Sequence, residues 1–211
     1  MTFSELPGTG TKKYNEIIRA AKDLFWKHGF RRVSVEEICQ KADASKMTFY
    51  RFFPNKIELA KSVFDVASAE ITKKFRDLLS SDVPPAEKIR KMVLIELEGA
   101  RGMSREFLQD FYSREPELQM YVEVRMRTSW NEILTDFKAA QKRGEIRSDV
   151  KPEFILYIGE KMSDMVADEK LVAMYASPQE MIGEVMNFFA YGISPTHQSA
   201  GPSSGQEPGP P

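Results

Sequence analysis

Apolar positions recur at three- and four-residue steps from Tyr14 to Tyr191, and no stretch sustains the strict alternation of a half-buried strand, so the pattern predicts an all-α protein. Ile17, Ile18, Ala21, Leu24 and Phe25 mark one face of a first helix, which Gly29 stops. Ser34 and Glu37 then stand at capping-box spacing, with Val33 and Ile38 placed to staple the same turn, and a second helix runs to about Lys41. Ala42-Asp43-Ala44 leaves room only for a corner before Ser45 offers the next cap, and short, polar Asp43 is the residue expected to take a left-handed backbone there. From Ser45 to about Phe53, the rings of Phe49, Phe52 and Phe53 fall on one inward stripe. Lys46, Met47, Tyr50 and Arg51 fall on the opposite stripe, with Thr48 at its flank. Asn55 and Glu58 open a fourth helix that continues through Leu59, Val63, Phe64, Ala67 and Ile71 to about Leu79.

Beyond it, Pro84-Pro85, Gly102, Pro116 and Gly144 punctuate further helices. The segment from Pro116 to about Gly144 is wide-faced and aromatic, unlike the narrow seam of a coiled coil, and such helices can enclose a cavity. Met103, Phe107, Phe111, Tyr121, Met126 and Trp130 are the candidate lining, with plain core packing the alternative use of the same side chains. Two more helices are expected, Pro152 to about Tyr175 and Pro178 to about Tyr191, and they carry more apolar surface than a chain end left in solvent would. The chain therefore divides into a flexible arm over 1–11, a three-helix unit over 12–55, a larger helical body over 56–193 and a disordered Pro/Ser/Gly tail over 194–211.

Charge follows that division. Residues 1–60 hold 11 Lys and Arg against 7 Asp and Glu, while the remainder holds 19 against 24, a mildly basic unit on an acidic body. No apolar run approaches the roughly 20 residues of a membrane span, and no signal peptide is evident at the N-terminus, so a cytoplasmic protein with no membrane partner is expected. The single cysteine, Cys39, sits inside the second helix and reads as a packed side chain. With only His28 and His197, no zinc motif or histidine-based triad can be assembled, and Gly8-Thr9-Gly10-Thr11-Lys12 lacks the spacing of a phosphate loop. No enzyme activity, cofactor or metal is expected.

The outward stripe suits a major groove. Lys and Arg can meet guanine edges or phosphates, Thr and Tyr hydroxyls can bond phosphate oxygens, and Met can touch a thymine methyl, although an ordinary solvated helix face would look similar. The string Ile38-x-x-x-Ala42-x-Ala44-Ser45-x-x-Thr48-Phe49-Tyr50-x-x-Phe53-x-x-Lys56-x-x-Leu59, preceded by a helix ending in Gly29-Phe30, resembles the TetR (tetracycline-repressor) family of transcriptional regulators. It departs from the family pattern at Asp43 and Met47, where glycine is usual, and at Ala44, where valine is usual.

That resemblance implies a helix-turn-helix DNA-binding domain followed by a ligand-binding and dimerisation domain. Ser34, Ser45, Lys46, Met47, Thr48, Tyr50, Arg51 and Lys56 are then the candidate DNA-binding residues, with Lys56 at a helix N-terminus that would hold a phosphate. It further implies a homodimer through the two C-terminal helices, double-stranded DNA with a palindromic operator as partner, and a small apolar or amphipathic effector that releases a repressor. The alternative is a helical small-molecule sensor or interaction protein that has lost specific operator binding.

Overall fold

A computed structural model describes residues 11–165 and 168–194, and all but Thr11 of the expected N-terminal arm over 1–11 and all but Ser194 of the expected tail over 194–211 lie outside the described residues. These residues form helices with no strand among them. In chain order they are α1 (Lys12–His28), α2 (Val35–Lys41), α3 (Lys46–Phe52), α4 (Lys56–Leu79), α5 (Pro85–Gly99) and α6 (Arg105–Gln109), followed by a π-helical turn (Asp110–Arg114), then α7 (Pro116–Lys142), α8 (Pro152–Met165), α9 (Glu169–Ala173) and α10 (Pro178–Ile193).

The first three helices form a compact headpiece because each end is chemically closed. Thr11 caps α1 by accepting from the Tyr14 amide. At α2, Ser34 accepts from Glu37 N, and the Glu37 carboxylate accepts from Ser34 N at 2.7 Å, a reciprocal box of the kind worth about 1 kcal/mol. Ser45 closes α3 on Thr48 N at 3.0 Å. Between α2 and α3, Asp43 takes φ 46°, the left-handed corner that the spacing predicts, and the Lys13 ammonium fastens it by donating to Asp43 O at 2.9 Å and Ala42 O at 3.2 Å.

Phe49 and Phe53 are buried beneath α3, but Phe52 is only half-buried, set edge-on to Tyr14 with the Arg51 guanidinium over its other side. One hydrophobic core runs from this headpiece through the first turns of α4 to Phe107, Phe111, Leu118 and Met181. A second, built on Leu79, Met92, Phe137, Ile155 and Phe189, closes the far end of the body.

Two elements differ from the sequence expectation. The single helix expected from Pro152 to about Tyr175 is α8 and α9: Asp168 accepts from Leu171 N at 2.9 Å and so starts a new helix where the apolar pattern alone would continue the old one. Residues 166 and 167 lie outside the described residues, and with them Val166 of the expected stripe. The π-helical turn interrupts the segment carrying Phe107, Phe111 and Tyr112, and it carries the buried carboxylate of Asp110, which accepts from Arg31 N at 2.8 Å.

Candidate nucleic-acid interface and the cavity beneath it

On the outer face of α3, Lys46, Met47, Tyr50 and Arg51 are all exposed, Met47 to 84%. Thr48 is half-buried, its hydroxyl 2.9 Å from that of Ser45. Lys46 is ion-paired with Glu36 of α2, and the hydrogen bond between them raises the Lys46 ammonium above its ordinary value and lowers the Glu36 carboxyl below its own. Tyr50 stands edge-on to Phe49 at 5.2 Å between ring centres, which limits its sweep without covering its hydroxyl. Arg31 and Arg32, between α1 and α2, are exposed as well. This surface brings together cation, hydroxyl and thioether groups on a short helix whose opposite side is locked by phenylalanine.

Other candidate residues have their polar groups engaged within the protein. Lys56 was expected to offer its ammonium to a phosphate, but Nζ donates to Phe30 O at 2.9 Å and Val33 O at 2.8 Å and lies 4.3 Å from the centre of the Phe30 ring. Burial pushes this ammonium below its ordinary value, so the lysine braces the loop between α1 and α2 against the start of α4. Lys13 has a similar bracing place at the corner between α2 and α3. The Ser34 and Ser45 hydroxyls are occupied by capping.

Beneath the headpiece lies a cavity of about 990 Å³, reaching from α1 past α4, α5 and α7 to α10. Of the candidate lining residues, Met103, Phe107 and Met126 border it. Phe111 is buried instead between Phe25 and Phe30, and Tyr121 faces α4, donating from its hydroxyl to Asp65 at 2.5 Å. Burial and that bond together raise the Tyr121 phenol well above its ordinary value. The side chain of Trp130 lies outside the described residues.

Sequence reasoning missed most of the wall, Trp26, Glu96 and Tyr112 among it. Trp26 of α1 packs on Phe107 with 4.2 Å between ring centres, so the headpiece itself supplies part of the wall. Glu96 and Tyr112 line it beside the half-buried Ser68, Thr72 and Ser129, and burial holds the pKa values of Glu96 and Tyr112 at about 7 and about 12. A signal for Glu96 was present: it lies four residues from both Met92 and Ala100, a carboxylate set in an apolar stripe.

Residues 17–63 match the family described as bacterial regulatory proteins, tetR family. The chain is 23% identical to the uncharacterized HTH-type transcriptional regulator YdgC of Bacillus subtilis over 88% of this chain and 95% of that protein. Among solved structures, the fatty acid degradation regulator FadR of Bacillus halodurans superposes with a TM-score of 0.64 at 17% identity, covering 86% of this chain and 96% of its own. FadR of Bacillus subtilis, solved in complex with stearoyl-CoA, superposes with a TM-score of 0.62 at 16% identity over 85% and 99%. The helix-turn-helix match over 17–63, the regulator relative and the shared all-helical fold agree on a transcriptional regulator that carries the DNA-binding domain of the tetR family.

Proposed function

We propose that the protein is a dimeric repressor that reads a palindromic operator through α3 and is released when a small apolar or amphipathic molecule fills the cavity. The observation that carries this reading is the shared wall: Trp26 belongs to a DNA-binding headpiece and also faces the cavity, stacked on Phe107. An occupant that displaces this pair acts on the headpiece directly, and a difference of about 1 to 3 kcal/mol in its affinity for the two arrangements would change operator binding several-fold to over a hundredfold. The stearoyl-CoA complex of the structural neighbour supports a cavity of this size and apolar character as an effector site.

Dimerisation would use α8 and α10, where Phe154, Tyr157, Met165, Phe188 and Tyr191 stand exposed. Lys46, Met47, Thr48, Tyr50 and Arg51 are assigned to base and phosphate contact, and Ser34, Ser45 and Lys56 to holding that surface in place.

Selection of duplexes from a random pool, followed by titration at several salt concentrations, tests the reading. A palindromic consensus bound by two chains, with affinity falling steeply as salt rises and base preference altered by Lys46→Ala, is the expected result. Equal weak binding to every duplex would overturn operator recognition and favour a sensor that has lost it.

A further inference from the structure

The charged residues around the cavity are unequal. Lys22 pairs with Glu70, Lys41 with Asp23 and Lys74 with Glu98, and apart from Lys22 these residues are exposed at the rim. Glu96 differs from the other lining acids: its side chain is half-buried where theirs are exposed, and among the described residues its carboxyl makes no hydrogen bond or ion pair. Lys27 and Arg101 also line the cavity, both exposed, and neither is ion-paired or bonded to Glu96 among the described residues.

Beside it, the Tyr112 hydroxyl also lacks a hydrogen-bond partner among the described residues and senses the Glu96 charge. Half-buried rather than buried, both side chains keep the accessible surface that faces the hollow. A carboxyl and a phenol that face a largely apolar hollow with no protein partner are met only by what enters it, and a ligand that brings donors and the opposite charge gains there over one that does not.

We propose, building on the effector reading above, that the cavity takes a ligand with an apolar body and a protonated amine, the amine seated between the Glu96 carboxylate and the Tyr112 hydroxyl. An ammonium carries three donors and the opposite charge, so it can pair with the carboxylate and still offer a donor to the phenol. An alcohol offers one donor and no charge. A carboxylate would face Glu96 as a like charge in a poorly screened site.

Calorimetric titration of the full chain at about pH 8 with dodecylammonium, dodecanol and dodecanoate, each below its micellar concentration, separates these cases, since an alkylamine is still cationic there and a carboxylic acid ionised. Dodecylammonium is expected to bind about tenfold to a hundredfold more tightly than dodecanol, the range for a hydrogen bond to a charged group. Glu96→Gln, close to isosteric, is expected to erase that margin while leaving dodecanol binding and the far-ultraviolet dichroism unchanged. Tyr112→Phe is expected to reduce the margin in part.

Dodecanol or dodecanoate binding as tightly as the amine, or a margin that survives Glu96→Gln, would overturn the amine assignment and leave the cavity an effector site of another class. Failure of all three probes to bind would overturn the assignment and the effector reading together.

Discussion

Single residues in this protein are placed where their chemistry is under tension. Gly29 ends α1 at φ 79° and ψ 163°, a region of backbone space open essentially to glycine, and a Cβ there would stand 2.7 Å from the Asp110 carboxylate. The tight approach lets a buried carboxylate of the body accept from the headpiece backbone at Arg31. Glu96 illustrates the opposite case, a charge held without compensation. Its folded pKa of about 7 lies above the ordinary 4.5, so the folded state binds more protons than the unfolded chain, and stability falls as pH climbs through that window. Glu96→Gln removes the titration. Denaturant unfolding should show the variant gaining about 1 to 3 kcal/mol over the parent between about pH 4 and about pH 8, a discount from the full shift because the cavity admits water.

At the scale of elements, the joint between α3 and α4 governs how the recognition surface is held. Lys56→Met keeps the aliphatic stem and loses both hydrogen bonds from Nζ to the loop between α1 and α2. It should lower stability by about 1 to 3 kcal/mol, read by chemical denaturation, because two buried carbonyls are left without a donor. The same variant should weaken operator binding without changing its base preference.

Much of the headpiece was legible in the sequence. Caps at Ser34, Ser45 and Asn55 and the phenylalanine stripe of α3 are local signals, and local chemistry decides those helix ends. Lys56 shows a related gap: a lysine at a helix N-terminus reads as a phosphate ligand, and only the fold places Phe30 O and Val33 O within its reach. The division into α8 and α9 turned on one capping aspartate inside an otherwise continuous apolar pattern. The cavity was half-visible, since Met103, Phe107 and Met126 follow helical periodicity, whereas Trp26 reaches the wall from a helix distant in sequence. No periodicity distinguishes a residue that lines a hollow from one that fills a core.

Over the whole molecule, the proposed assembly rests on the exposed aromatic surface of α8 and α10. Phe188 is 81% exposed and Tyr191 76%, on a helix whose other side is buried against α5. Phe188→Glu places a charge at the centre of that face. Sedimentation equilibrium should find the parent as a dimer and the variant shifted to monomer, with far-ultraviolet dichroism retained and affinity for a two-half-site duplex reduced about tenfold or more, because the second half-site no longer binds as a tethered unit.

The stacking of Trp26 on Phe107 has a bearing on engineering. Chimeras that graft a foreign reading head onto this chassis at the α3–α4 boundary would replace the indole along with the DNA specificity, and the hollow would lose a wall. A transplant that preserves signalling must therefore carry Trp26 across the splice, or choose a donor with an aromatic ring at the same place.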